Sequence, residues 1–486
     1  MGAIYLGIDM GTASARCLAV DANGTILALT QQRYPIHHPH QGWAEQDPND
    51  YWRALIAVVS ECVQSLASYG HHSRDIAAMA MSSQGETLIV ADEDGAALAP
   101  AMSWMDERAE DDCRALLAEA DQSFWYREMG SQLGPLSSAC KLRWLARERP
   151  DVWALVQRVC AVPDYLAARL CGQFATDIPS ASWSPCFTPQ KRSWSSAVMR
   201  LLGVCEAQLP RLVEAGAPVA PLLLEVAEQM GLSSEVVLVA GAFDQAAAAL
   251  GAGAAADGRS VLSCGTAWVL YSVVTAPPSD PRMMIPVCCH ADLTGLGLVV
   301  AFTGGAAYEW FGRTFPGNRG QTSGSERDPL YFLPYLYGAE GPDDRRVASG
   351  TILGLTLAHD RNDVEKALMN GMACEARWSV ELVESVSGPI SALRMVGGAS
   401  KSAVWPQIIA DLLDRPIEVP ENAESAAYGA AMLAAGAKSW SWLDKGATRL
   451  VTPEPAGVRF MEDYYSRYQH FRSGLIELYG STAGRL

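Results

Sequence analysis

The chain has 486 residues, 49% of them hydrophobic and 19% charged, which is more than one hydrophobic core usually fills, so two domains of roughly 200 to 250 residues with a cleft between them are expected. A formal net charge of -17 argues against nucleic acid or an anionic membrane as a main partner, because both would be repelled by the average surface; any phosphate site must be local. Twelve cysteines scattered through a long chain without a CxxC pair read as reduced thiols, not as a disulfide framework.

From Met1 the sequence runs into the strand-like Ile4 to Asp9 with no basic region and no apolar stretch of signal or transmembrane length, which sets the expectation of a cytoplasmic protein. Ser14 to Asp21 is β-rich, and Asn23-Gly24 is a hairpin signal leading into Thr25 to Tyr34, so a β-meander opens the fold. Tyr51 to Leu66 carries apolar residues at helical spacing and Ile76 to Ser82 is a short apolar strand, giving the order β-β-β-α-β of an α/β domain. Asp106 to Leu212, rich in Trp, Leu and Arg, reads as a mainly helical insertion on the substrate side.

Val236 to Ala240 is a strand ending in Gly241, and Val261 to Thr266 followed by Ala267 to Val274 is a strand-turn-strand. The segment from Ile8 to Ser14 and the segment from Leu262 to Trp268 both place Gly-Thr in a tight turn, which suggests an internal duplication. The first domain is expected over residues 1–245 and the second over 246–486. Cys288-Cys289-His290 has no second cluster at ligand spacing and reads as part of a half-buried strand rather than a zinc site. Residues 319–328 and 338–349 are polar and glycine-containing, as surface loops are, and Phe460 to Phe471 reads as a closing helix.

Four motifs carry chemistry. In Asp9-Met10-Gly11-Thr12-Ala13-Ser14-Ala15-Arg16 a glycine lets backbone approach an anion, Thr12 and Ser14 add hydroxyl donors, Arg16 can pair with phosphate, and Asp9 can hold Mg²⁺ through water. Ser263-Cys264-Gly265-Thr266 would present a second set of donors facing the first. In Gly241-Ala242-Phe243-Asp244-Gln245 an acid opens an Ala-rich helix. The local pattern favours an N-cap for Asp244, with a general base for an attacking hydroxyl as the other reading. Val396-Gly397-Gly398-Ala399-Ser400-Lys401-Ser402 is a strand-to-helix turn against which an adenosine could lie. The small-residue helix at Ala426 to Ala431 reads as a packing element.

In this order and spacing the motifs resemble the FGGY carbohydrate kinases of the actin-like ATPase superfamily, and the xylulokinases among them, from Tyr5 to about Tyr468. Further family-like stretches are Gly42 to Pro48, Trp104 to Arg108 and Phe332 to Leu336. The resemblance implies an α/β fold of two RNase H-like domains, with a small sugar and ATP with Mg²⁺ bound in the cleft. Asp244 would be the general base and, with Asp9, a magnesium ligand. Gly11, Thr12, Ser14, Arg16, Gly265 and Thr266 would meet the phosphates, and Gly304, Gly305, Gly397, Gly398 and Ser402 would lie along the nucleotide. Gln84, Gly85, Glu86, Trp104, Asp244 and Gln245 would meet the sugar.

Gly85 stands where glycerol kinases place an Arg, and Gln84-Gly85 departs from the Met-His of xylulokinases. A ketopentose such as xylulose leads over other pentuloses, hexuloses and pentitols. The domains are expected to close on substrate with Gly241 and Gly251 flanking a hinge, and a homodimer is left open.

Overall fold

The computed structural model describes residues 2–278, 280–292, 295–317, 328–336, 348–421, 424–436, 442 and 448–482. The seven residues of β1 (Ile4–Met10) are all buried, because the strand lies inside a sheet covered on both faces. It pairs antiparallel with β2 (Ser14–Asp21), and β2 with β3 (Ile26–Arg33). Between β2 and β3 the Asp21 carboxylate takes the N–H groups of Asn23 and Thr25 at 2.8 Å, and Gly24 turns the chain at φ +87°. Helix α1 (Pro48–Ser68) starts on the Asp47 side chain and lays Tyr51, Leu55, Val58, Val59, Cys62 and Leu66 on the sheet, the spacing of one helical face.

Strand β4 (Ile76–Ser83) pairs parallel with β1, β5 (Pro218–Pro221) lies at the edge, and β6 (Val237–Phe243) joins β4 in parallel, giving a six-stranded sheet ordered β5-β6-β4-β1-β2-β3. The last of these runs three residues past its expected end at Ala240. Gly241 makes this possible: a Cβ there would lie 1.7 Å from the Met81 carbonyl oxygen, and the register with β4 shifts between Val239 and Ala242.

The second sheet has seven strands. In chain order they are β7 (Arg259–Cys264), β8 (Ala267–Val274), β9 (Val287–Cys289), β10 (Leu296–Thr303), β11 (Ala392–Gly397), β12 (Ile417–Pro420) and β13 (Thr448–Val451). Across the sheet the order is β9-β10-β8-β7-β11-β12-β13. The run β10-β8-β7-β11-β12 repeats β3-β2-β1-β4-β6, with the same antiparallel meander and the same two parallel additions. Two α/β domains of actin-like ATPase type follow, and the two sheets fall on either side of residue 245.

Helix α3 (Asp244–Gly251) and helix α7 (Ser425–Ala435) cross between the sheets at backbone contact. A Cβ on Gly429 would lie 1.9 Å from the Ala247 oxygen, one on Gly251 2.1 Å from the Ser425 oxygen, and one on Gly7 of β1 1.8 Å from the Ala427 oxygen. Gly241 and Gly251, expected to flank a hinge, have no positive φ in this structure, and both are used for close approach. The small-residue helix is a packing element, as its composition suggests.

Residues 106–212 form helices and short strands around a core that includes Trp125, Leu142 and Leu145. Strand β9 is fully buried instead of half-buried, because it adds to the sheet and is covered by the insertion: Val287 donates its N–H to Gly130 at 2.8 Å, and Cys289 its N–H to Ser182 Oγ at 2.9 Å. Among the described residues no three His, Cys, Asp or Glu side chains gather as metal ligands do, and no helix is long and apolar enough to cross a membrane. The two polar stretches lie outside the described residues except for Asp328, Ala348 and Ser349. The closing helix is α8 (Pro455–Thr482).

Candidate active site at the domain cleft

The parallel pairing of β1 with β4 and of β4 with β6 sets Asp9 beside Ser82 and Phe243 beside Ser83, so Asp9, the loop after β4 and Asp244 share one end of the first sheet. The Asp9 carboxylate accepts from Ser82 Oγ and from Arg16 Nη1, each at 3.2 Å. Burial raises its pKa, and the Arg16 guanidinium opposes the rise. Arg16 also reaches Glu424 Oε2 at 3.4 Å, so it spans from the first hairpin to the start of α7.

That hairpin is wired internally. Gly11 gives its N–H to the Ser14 carbonyl at 3.1 Å, its own carbonyl accepts from Tyr34 Oη, and Ser14 Oγ accepts from Gln31 at 3.0 Å. Thr12 Oγ1 accepts the Trp104 indole N–H at 2.9 Å, and the Thr12 carbonyl accepts from Gln46 at 2.9 Å. Trp104 is held in turn by Thr87 Oγ1 and by the turn after it, where the Asp106 carboxylate takes the Ala44 N–H at 2.7 Å. Arg108 pairs with Asp106 and Glu45 and lies 3.6 Å from the centre of the Trp43 ring. The stretches Gly42 to Pro48 and Trp104 to Arg108 thus brace each other and fix Trp104 over Thr12.

In the loop after β4, Gln84 is buried and its Oε1 accepts from Thr87 at 3.2 Å. Glu86 stands at φ +56°, a conformation that costs a non-glycine residue of order 1–3 kcal/mol and clusters at functional sites. Its carbonyl is held there by Ser138 Oγ at 3.0 Å and Lys141 Nζ at 3.3 Å. Lys141, on α2 (Ser138–Glu148), is fully buried and also donates to the Ser103 carbonyl at 2.7 Å. Burial raises the Glu86 pKa, and the Lys141 ammonium opposes it.

Asp244 is the first residue of α3, and the N-cap position is Phe243, which makes no side-chain cap. The capping reading therefore fails. One Asp244 oxygen takes the Gln245 N–H at 2.7 Å. Burial, with the Asp9 charge adding to it, pushes its carboxyl up to about 7.

On the second domain Gly265 and Thr266 form an exposed turn. Behind them, helix α4 (Gly305–Thr314) donates Gly305 N–H to the Gly265 carbonyl at 3.0 Å and Ala306 N–H to that of Thr266 at 2.9 Å. A Cβ on Gly304 would lie 2.2 Å from Trp268 Cδ1, and one on Gly305 2.5 Å from the Gly265 oxygen. These two glycines seat the helix against the turn. Gly397, at φ +89°, pairs with Cys264, and Gly398 faces open space. A short 3₁₀ turn, Gly398–Lys401, precedes α6 (Trp405–Leu413), and between them Ser402 Oγ accepts the Val404 N–H at 3.1 Å and the Trp405 N–H at 3.5 Å. Gly265, Thr266, Gly397 and Gly398 thus lie together at the end of β7 and β11.

Sequence reasoning missed Ser82, Lys141 and Trp183. The first lies within the strand read as Ile76 to Ser82, where it passes for a packing residue; the other two come from the insertion, where no local motif marks them.

Residues 4–251 match the N-terminal domain of the FGGY family of carbohydrate kinases, and residues 318–437 match its C-terminal domain. The chain belongs to this family. Like its fold, its kinase class is that of the FGGY enzymes. It is 28% identical to a xylulose kinase of Escherichia coli (strain K12), with 98% of each chain covered. It is 29% identical to a glycerol kinase of Bordetella parapertussis over 93% of this chain and 94% of that one. A crystal structure of a "xyloylose kinase" from Brucella ovis superposes with a TM-score of 0.90 at 27% identity, covering 98% of this chain and all of the other.

Proposed function

We propose that this FGGY carbohydrate kinase transfers the γ-phosphate of ATP to a hydroxyl of a small neutral sugar, with a ketopentose such as xylulose as its acceptor. The observation that carries the mechanism is Asp244: a carboxyl raised to about 7, free of any capping duty, at the cleft end of the sheet beside Asp9 and the Gln84 to Thr87 loop. Such a group takes a proton at neutral pH and orients the attacking hydroxyl. Gln84, Glu86, Trp104 and Gln245 surround the acceptor, and Gly265, Thr266, Gly397 and Gly398 receive the nucleotide.

Asp9 and Asp244 are the residues that would hold Mg²⁺, which takes one or two carboxylates together with substrate phosphates. The donor set fits, since burial raises both carboxyls and the Asp9 charge raises Asp244 further, a cost that a cation relieves. When bound, the ion supplies charge neutralisation for the transferring phosphate. Glu86 can accept from hydroxyls of a polyol or ketose. The relatives named xylulose kinase support a ketopentose, and Glu86 together with the glycerol kinase relative supports a polyol as the second reading. The enzyme is proposed to act in the cytoplasm.

A coupled ADP-release assay over ketopentoses, ketohexoses, pentitols and glycerol tests this. ADP release that depends on one of them and on Mg²⁺ is expected; release indifferent to every acceptor would sink the reading.

A further inference from the structure

Trp183 reaches the acceptor side of the cleft from the insertion. It follows the short helix Ile178–Ala181, whose start is fixed by the Asp177 carboxylate accepting from Ser180 N–H at 2.6 Å and Ser180 Oγ at 2.9 Å. The next fixed point is Ser182, bonded to Cys289 of the second domain. The indole packs on Phe243, the residue before Asp244, with ring centroids 5.5 Å apart. A Cβ built on Gly85 would lie 3.2 Å from both Cβ and Cγ of Trp183 and 3.5 Å from its Cδ1. The indole therefore occupies the space that a side chain at residue 85 would need, and turns its pyrrole edge to the Gln84 to Glu86 loop.

Nε1, bonded to that Cδ1, is buried and has no hydrogen-bond partner among the described residues; the same holds for Gln245 Oε1, one residue past Asp244. Native folds rarely leave such groups unpaired, and a ligand is one thing that satisfies them. One orphan is a donor and the other an acceptor, the pair that two hydroxyls of one polyhydroxy molecule complement.

We propose that Trp183 determines acceptor specificity in this enzyme. Its indole N–H donates to one hydroxyl of the acceptor, Gln245 Oε1 accepts from another, and the Trp183–Gly85 contact sets the width of the site between them. This rests on the sugar-kinase reading above.

Trp183→Phe keeps a ring and removes the N–H, and the assay uses D-xylulose, D-ribulose, xylitol and glycerol in turn. The acceptor KM is expected to rise about tenfold, with kcat and the ATP KM within about twofold of wild type and the melting temperature unchanged. Gly85→Ser should impair the enzyme by pushing on the indole, and Trp183→Ala combined with Gly85→Ser should be less impaired than Gly85→Ser alone. A Trp183→Phe acceptor KM equal to wild type overturns the proposal. So does a parallel rise in the ATP KM with a lower melting temperature, which marks a packing role. Wild-type enzyme that uses none of the four acceptors breaks the acceptor assignment of the proposed function, a different failure from an active wild type that is indifferent to Trp183.

Discussion

At the first hairpin Thr12 gives its hydroxyl oxygen to the Trp104 indole and its carbonyl to Gln46; at the second, Thr266 is exposed, and its hydroxyl takes no partner among the described residues. Both turns have Gly-Thr between antiparallel strands at the same place in the same strand order. The difference is what packs behind them. The first hairpin is tied through Trp104 to the Trp104 to Arg108 turn, so under the proposed function its threonine would belong to the acceptor wall as well as to the phosphate site. The second is backed by the N-terminus of α4, whose N–H groups are spent on the turn's carbonyls, which leaves the outer face of the turn to a ligand. Under the proposed function one duplicated element would serve two substrates, and substitutions at equivalent positions should separate their effects.

The largest effect lies between the hairpins. Asp244→Asn keeps the shape and the bond to Gln245 but cannot take the proton, so kcat should fall by about 10²- to 10⁴-fold. ADP release with the best acceptor measures it, and turnover within tenfold of wild type would remove Asp244 from the mechanism. The next effect tests the hairpins directly. Thr266→Val should raise the ATP KM by about 10- to 100-fold, the cost of a hydrogen bond to a charged group, and leave the acceptor KM in place. Thr12→Val frees the Trp104 indole and should raise the acceptor KM as well. Equal behaviour of the two variants would erase the distinction drawn between the turns.

The chain order β-β-β-α-β and the paired hairpins were legible because local rules mark them: the Asn23-Gly24 turn, the period of α1 and the repeated Gly-Thr. Asp244 stands out through the family resemblance, since its local pattern favours a cap that the structure does not contain. Two features escaped for physical reasons. The full length of β6 depends on Gly241 lying against the Met81 oxygen, a contact between strands far apart in sequence. Lys141 and Trp183 act on the 84–87 loop across 55 residues or more, and a buried lysine or a tryptophan after a short helix carries no local signature of that role. The close backbone contacts of Gly241 and Gly251 were not legible, because a glycine that permits rotation and one that permits contact look alike in sequence.

A smaller effect concerns the scaffold below the acceptor wall. Burial pushes Asp164 up to about 7 and Asp177 up to about 6, and one Asp164 oxygen has no partner among the described residues. A carboxyl whose folded pKa lies above its ordinary value near 3.8 favours the fold when protonated, so its contribution is present at low pH and is lost as pH rises toward 7. Asp164→Asn can keep the bond to Ala161 N–H and should flatten this decline. The melting temperature at pH 8 should rise by a few degrees, about 2–4 °C per kcal/mol for a domain of this size, with a smaller rise at pH 5, inside the window of the decline, than at pH 8. A lower melting temperature at both pH values would show that the charge is needed.

The smallest effect decides what Arg16 does. Its ion pairs to Asp9 at 3.2 Å and Glu424 at 3.4 Å leave its side chain one-third exposed, and such pairs contribute about 0–1 kcal/mol and are screened by salt. If Arg16 acts only as this brace between the first hairpin and α7, Arg16→Lys should lower stability by less than about 1 kcal/mol and shift the ATP KM by less than about fivefold, and Glu424→Gln should do the same. If Arg16 turns from Glu424 to a phosphate oxygen when ATP binds, its planar fork matters: Arg16→Lys then raises the ATP KM by about tenfold or more while Glu424→Gln, by releasing the guanidinium, lowers it. The sign of the Glu424→Gln effect on ATP affinity separates a fixed brace from a side chain held ready for the nucleotide, and it does so without changing any group that touches the acceptor.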